Sequence, residues 1–286
     1  MNQNSNTNII KGKLIVSLLT KNCSKWIPKV LKNVEHYISL FEDYYVLIVD
    51  GYSNDGTQLI CKSWCKNGSC KNGIEKRVFI NQPNSNLPRN ESLNEARNFV
   101  IDTLRPQFGE NVYLLLLDAD SPNAYPLDKE TTESFLKAFS FKDNNIPNWT
   151  GLFCNQRNNK YYDILALRDE TLTDNYQFKY KHCNWYNGSM QRAIEKYQNT
   201  KKDVSGFYPV NSAFGGAGLY KTQHLKEIEE KSKTKLRYEC WVTVYNEESK
   251  QIERRFECEH VPFHSTMIKN GYNLFINCDW YIGEHL

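Results

Sequence analysis

Two aspartates separated by one alanine, Asp118 and Asp120, follow directly on the apolar run VYLLLL (112–117) and precede Ser121 and Pro122. On an extended strand, side chains two residues apart project to the same side. The two carboxylates therefore stand together and repel each other unless a positive charge sits beside them. A divalent cation held by the phosphates of a nucleotide supplies that charge, because hard cations take oxygen ligands. The same DADSP stretch also makes a serviceable strand exit, with an Asx turn ahead of the proline. Further groups able to do chemistry are Asp50 at the end of YYVLIVDG, Arg168 and Asp169 in LALRD, and His260 and His264 in ECEHVPFH. Histidine is a competent base near neutral pH and a common metal ligand, so His260 fits either role. A buried histidine with satisfied nitrogens is the alternative.

The elements that must position these residues are legible in the first 120 residues. KLIVSLLT (13–20) is a continuous apolar run and reads as a buried strand. Residues 24–41 carry Ile27, Val30, Leu31, Val34, Ile38 and Phe41 at helical spacing after an expected N-cap at Ser24. YYVLIVDG (44–51) is a second strand, SNDGTQLICKSWC opens a second helix, and KRVFINQ (76–82) is a third strand. Residues 92–105 form a helix with Leu93, Ala96, Phe99, Val100 and Leu104 on one side, and VYLLLLDAD is the fourth strand. Such alternation predicts right-handed βαβ units in a mostly parallel sheet. Ligands of open α/β sheets bind beyond the carboxyl ends of the strands, so Asp50, Asp118 and Asp120 are expected at one crevice.

Composition narrows the class. The chain has 286 residues, 40% hydrophobic and 13% aromatic, with a formal charge of +3. That is enough for one large α/β domain. No apolar stretch reaches the roughly 18 residues of a membrane span, and the polar N-terminus is unlike a signal peptide. A soluble, cytoplasmic protein is expected, without a nucleic-acid partner, since no dense basic block or nucleic-acid motif is present. Nine cysteines are scattered along the chain, and Cys61, Cys65 and Cys70 match no zinc-ligand spacing, so free thiols are expected. Five Asn-x-Ser/Thr sequons, at Asn22, Asn67, Asn90, Asn148 and Asn187, are read as chance in an Asn-rich chain.

Three motifs in order resemble the GT-A nucleotide-sugar-dependent glycosyltransferases: VLIVDGYSNDGT (46–57), NEARNFVID (94–102) and LLLLDADS (114–121). The resemblance implies a Rossmann-like, mostly parallel sheet with helices on both faces. It implies that Asp50 and Asp55 approach the base and ribose, with Ser53 and Gly56 shaping their turn. Arg97 of the A-R-N helix would lie by the diphosphate, and Asp118 and Asp120 would bind Mn²⁺ or Mg²⁺ together with it. Residues 1–11 are expected to be a disordered tail before a single domain, 12–286, with a nucleotide-sugar half (12–122) and an acceptor half (123–286).

The acceptor half is less regular. YYDILALRDE (161–170) reads as a strand, and YPVNSAFGGAGLYKT (208–222) holds a Gly-rich loop before a helix from about Gln223. Gly215, Gly216 and Gly218 allow close approach of a ligand, and by resemblance this loop packs beside donor sugar and acceptor. ECEHVPFH falls where family members carry an E-D pair, so Glu259 keeps the first acid while His260 replaces the Asp. The last strand and tail, GYNLFINCDWYIGEH, place His285 where a C-terminal histidine often completes the family's metal site. His285, His260 and then His264 are the competing candidates for that extra ligand. Glu259, His260 and Asp169 are the candidate bases, and Arg168 pairs with a phosphate, an acceptor hydroxyl or a structural acid.

ALRD, PVNSAFGGAGLY, CEHV and LFIN also resemble a viral, bacterial and fungal group that includes the cryptococcal capsule-associated mannosyltransferases. A viral origin would put the protein in the host cytoplasm. The function expected is hexose transfer from a UDP- or GDP-sugar to a hydroxyl acceptor such as a glycan. The alternatives are a nucleotidyltransferase, against which SLLTKNCSKW argues by lacking a Gly-rich loop after the first strand, and an inactive binding protein of the same fold.

Overall fold

The computed structural model describes residues 9–68, 75–83, 87–140, 145–157, 161–170, 206–246 and 250–283. The chain runs β1 (Ile10–Thr20), α1 (Ile27–Ser39), β2 (Phe41–Asp50), α2 (Thr57–Lys66), β3 (Arg77–Asn81), α3 (Arg89–Leu104), β4 (Val112–Asp118) and α4 (Lys129–Lys137). It continues with β5 (Gly151–Gln156), β6 (Phe207–Val210), β7 (Ala217–Lys221), α5 (Thr222–Ser232), β8 (Trp241–Asn246), β9 (Gln251–Phe256), α6 (His260–Lys269) and β10 (Leu274–Ile282).

Eight strands form one mixed sheet in the order β3-β2-β1-β4-β7-β5-β10-β6, with β8 and β9 a separate hairpin. Neighbours β3, β2, β1 and β4 are parallel, as are β5 and β10, while β7 and β6 run antiparallel to their neighbours. This is the mostly parallel α/β sheet the sequence predicts. Alternate residues of β1 enter opposite cores: Leu14, Val16 and Leu18 join α1, whereas Ile15 packs with Val100, Ile101 and Leu104 of α3. Burial on both faces is why the strand reads as an unbroken apolar run.

The register sets the functional edge. Thr20 pairs with Asp50, Leu19 with Asp118 and Asp50 with Asn81, so β1, β2, β3 and β4 end together. Chain order reverses between β1 and β4, the kind of place where ligands bind in open α/β sheets. Antiparallel β7 pairs Ala217 with Leu117, and the Asp118 N–H donates to the Gly216 carbonyl at 2.9 Å. The Gly-rich loop is thereby drawn to the acidic strand end from a distant part of the chain.

Several elements differ from expectation. β1 starts at Ile10, within the stretch read as a tail; residues 1–8 lie outside the described residues. α1 starts at Ile27, not after Ser24: Pro28 preorganises its first turn, and the Ser24 N–H donates instead to Asp55 Oδ2 at 2.9 Å. Residues 161–170 make turns rather than a strand, with a single bridge from Arg168 to Ser212. Both edges of β5 are already taken by β7 and β10, and the Asp163 carboxylate accepts from the Ala166 N–H at 3.2 Å, closing a local turn. Where ECEHVPFH carried no element, α6 begins at His260. Among the described residues no helix is long and apolar enough to cross a membrane, and their seven cysteines are free.

Candidate active site

The β2 end is a closed hydrogen-bonded turn. Asp50 is fully buried and accepts from the Ser53 N–H at 2.8 Å, the Ser53 hydroxyl at 2.6 Å and the Thr20 hydroxyl at 2.8 Å. Ser53 Oγ in turn accepts from the Asn22 N–H at 2.8 Å, tying the β1 loop to the turn. Exposed Asp55 accepts from the Thr57 hydroxyl at 2.6 Å, the Thr57 N–H at 3.1 Å and the Ser24 N–H, and these donors hold its carboxyl below the usual range. Gly56, at φ +97°, provides the left-handed backbone from which α2 starts. Within this turn the exposed Tyr52 has a left-handed backbone, φ +60°. Strain of this kind in a non-glycine residue collects at ligand sites.

The β4 end is different. Asp118 is pushed well above the ordinary carboxylate range by burial and by Asp120, against the pull of Arg97. Asp120 is raised too, by burial, and its Oδ1 is buried without a hydrogen-bond partner among the described residues. Its Oδ2 accepts from the Tyr162 hydroxyl at 2.6 Å. Arg97, from the middle of α3, donates through Nε to Glu259 Oε1 at 2.8 Å and holds Nη2 3.8 Å from Asp118 Oδ1. Its guanidinium lies over the rings of Phe214, at 4.9 Å, and Tyr238, at 5.8 Å. Arg97 thus faces several acids, with Arg89 acting on Asp120 as well, and Asp163 joins them: burial first, and then the charge of Glu259, raise its carboxyl to about 6.

Gly215 and Gly216 form the wall beside these acids at φ +66° and +94°. A Cβ on Gly215 would stand 2.8 Å from the Cys154 carbonyl oxygen, so no larger residue fits there. Gly218 lies within β7 against Phe153. The wall is pinned by Gln156, which donates to the Gly215 carbonyl at 2.7 Å, and by Asn123, which donates to that of Gly216 at 2.8 Å.

The histidines are set back from this crevice. His260 is fully buried and stacked on Phe214 at 4.2 Å, with neither ring nitrogen hydrogen-bonded among the described residues. Burial, aided by Arg97, drives its pKa well below 6.5, so the ring is neutral. Its Nε2 lies 3.9 Å from Glu259 Oε1. His264 is shared between the hydroxyls of Ser212, at 2.9 Å, and Tyr220, at 2.8 Å, and burial lowers it to about 3. His285 lies outside the described residues.

Arg168 donates to Glu257 Oε1 at 2.7 Å and to the carbonyls of Leu165 and Leu167, a buried ion pair. Asp169 accepts from the Tyr208 hydroxyl at 3.1 Å. It lines a cavity of about 290 Å³ with Tyr272, Asn273 and Leu274, at the start of β10. The cavity's lining includes none of the crevice acids.

A divalent cation fits this donor set. Two half-buried carboxylates stand together with both pKa values raised despite Arg97 and Arg89, and one of their oxygens is unpartnered among the described residues. Among the described residues no group of three or more His, Cys, Asp or Glu side chains could hold a metal, so oxygens of a bound phosphate would complete the shell of a cation on Asp118 and Asp120. Sequence reasoning missed Tyr162, Asp163 and Tyr52. Asp163 sits in YYDIL, a stretch read as a strand, and an aspartate inside an apolar run was the signal available.

A family model for glycosyl transferase family 2 matches residues 16–229. No curated protein matches the chain. Among solved structures, the mannosyltransferase PcManGT from Pyrobaculum calidifontis, in complex with GDP-Man and Mn²⁺, is similar at a TM-score of 0.47 and 16% identity, over 95% of this chain and 56% of that one. TarS 1-349 of S. aureus in complex with UDP-GlcNAc gives a TM-score of 0.46 and 15% identity, over 96% of this chain and 60% of that one. For glucosyl-3-phosphoglycerate synthase of Mycobacterium tuberculosis, in complex with Mn²⁺, UDP and glucosyl-3-phosphoglycerate, the values are 0.37 and 11%, over 75% and 58%. The chain therefore spans a little over half the length of these solved chains.

Proposed function

The chain belongs to glycosyl transferase family 2, and from that premise we propose that it moves a hexose from a UDP- or GDP-linked sugar to a hydroxyl acceptor such as a glycan. Mn²⁺ or Mg²⁺ would be held by Asp118 and Asp120. The observation that carries this reading is that acid pair: it stands half-buried at a strand's carboxyl end, both carboxyls are raised, and one oxygen has no hydrogen-bond partner among the described residues. A stable core has no use for such an arrangement, whereas a site awaiting a cation and a diphosphate does.

Breaking the bond between sugar and diphosphate leaves negative charge on the leaving group, which the bound cation would stabilise. Arg97 adds a fixed charge at the same place, already oriented by Glu259 and by the rings beneath it. The Asp50–Asp55 turn would receive the nucleoside, with Asp50 acting through the turn it holds. For inversion at the anomeric carbon the acceptor hydroxyl needs a base whose pKa lies near the working pH. Asp163, partly exposed and near 6, meets that requirement. Among the other candidates, Glu259 is engaged by Arg97, His260 is sealed beneath Phe214, and Asp169 faces Tyr208.

The test is release of nucleoside diphosphate from a panel of UDP- and GDP-sugars with Mn²⁺ or with EDTA. GDP-mannose comes first, following the narrower resemblance of ALRD and PVNSAFGGAGLY to mannosyltransferases. Metal-dependent release from one donor, lost in Asp120→Ala, is expected. If no donor is turned over and no nucleotide binds with metal, DADSP is only a strand exit.

A further inference from the structure

We infer that Tyr162 is a positioning residue for Asp120: its phenol O–H holds Oδ2 so that the unpartnered Oδ1 faces the bound cation. The inference rests on the metal reading of Asp118 and Asp120 given above and goes beyond it to a residue that no motif marks.

The geometry is local and well anchored. Tyr161, before it, is fully buried against the Gly215 backbone, where a Cβ would lie 2.9 Å from its hydroxyl. Asp163, after it, is tied to the Ala166 N–H. Tyr162 is thus fixed on both sides, yet its own residue is 42% exposed. A side chain that packs only for stability would bury its ring. Here the ring instead stands next to Gly216, where Cδ1 lies 3.5 Å from the position of a Cβ, and its hydroxyl reaches Asp120 at 2.6 Å.

Asp120 lies beyond the last paired residue of β4, so no ladder bond steadies it. Without the phenol its carboxylate would turn freely about its terminal torsion, which is broad for aspartate. A single donor on one oxygen fixes the plane and leaves the other oxygen for a cation. Carboxylate ligands of metals are commonly held this way, and losing such a partner costs about 10–100-fold in metal affinity.

The experiment measures Mn²⁺ binding to the full chain by the loss of the free-ion EPR signal, with UDP or GDP present, for wild type, Tyr162→Phe and Asp120→Asn. Tyr162→Phe removes one oxygen atom and keeps the ring, so its melting temperature should match wild type. The expected result is a 10–100-fold weaker Mn²⁺ affinity in Tyr162→Phe, with kcat recovered at saturating Mn²⁺. A purely structural role would not confine the loss to the metal constant. Unchanged affinity would overturn the inference, and tighter binding would overturn it in favour of a phenol that competes with the cation. If wild type and Asp120→Asn bind Mn²⁺ equally or not at all, the metal reading itself falls and takes the inference with it.

Discussion

The acids at the end of β2 and those at the end of β4 lie on nearby strands of one sheet, yet they have opposite surroundings. Asp50 and Asp55 are met by donors from their own turn and from the end of β1 and the loop after it, and Asp55 is held below the ordinary range. Asp118, Asp120 and Asp163 are all raised by burial, Asp118 also by the other two and Asp163 also by Glu259, and an oxygen of Asp120 has no partner among the described residues. On the function proposed above, the first group would build the floor of a nucleotide site, and the second would gain its balancing charge from a bound cation. An acid's partners therefore separate scaffold from chemistry better than its position in a motif does.

Arg97 is the residue on which the contrast depends, and its loss should have the largest effect. Arg97→Met would leave Glu259 and Asp118 facing each other without a cation. Removing one partner of a buried ion pair costs about 3–5 kcal/mol, to be read from urea unfolding. Adding Glu259→Gln should recover much of that loss. Recovery failing to appear would mean that Arg97 is held by its ring contacts rather than by the acids.

Asp118→Asn should separate stability from activity. Donor turnover should fall by about 10²–10³-fold, the scale of losing one preorganised charge-stabilising contact. The melting temperature of the ligand-free protein should hold or rise, because a repelling charge is removed. A clear drop in melting temperature would place Asp118 with the scaffold acids.

Asp50→Ala should do the reverse. It strands the Ser53 N–H and the hydroxyls of Ser53 and Thr20 in a buried turn, at a cost of about 2–3 kcal/mol. Calorimetry on the ligand-free protein reads this directly. A variant as stable as wild type would show that the turn does not need its acid.

Much of this was legible in sequence where the chain repeats a simple rule. Continuous apolar runs gave β1, β2 and β4 because both faces of the sheet are covered. The strand-end placement of Asp50 and Asp118 followed from those runs, and Arg97 followed from the resemblance of NEARNFVID to the A-R-N helix. What was not legible depends on long-range placement. Gly216 reaches Asp118 only because β7 inserts antiparallel beside β4, and no local pattern reports a strand's neighbours. YYDILAL reads as a strand because it is apolar, yet both edges of β5 are already filled by β7 and β10. His260 looked available for chemistry in sequence, and only packing shows it beneath Phe214.

The smallest effect, and the one that tests both regions at once, is the dependence of stability on pH. Asp163 titrates near 6 in the folded protein, against about 3.9 for an unfolded aspartate. As pH rises from 4 to 6 the unfolded chain gives up this proton first, so the group contributes stability below about pH 4 that is lost by about pH 6. Asp118 and Asp120, also raised, act in the same direction. Asp55 has the opposite sign: its folded pKa is lowered, so its contribution is present above about pH 4 and lost as the pH falls further. Urea unfolding across pH 2–8 should therefore show Asp163→Asn reducing the decline between pH 4 and 6, while Asp55→Asn changes only the acid limb. Mn²⁺ with a nucleoside diphosphate should flatten the same decline, since a cation favours the ionised acids. If Asp163→Asn leaves the region from pH 4 to 6 untouched, Asp163 belongs with the satisfied acids and the base assigned to it is wrong.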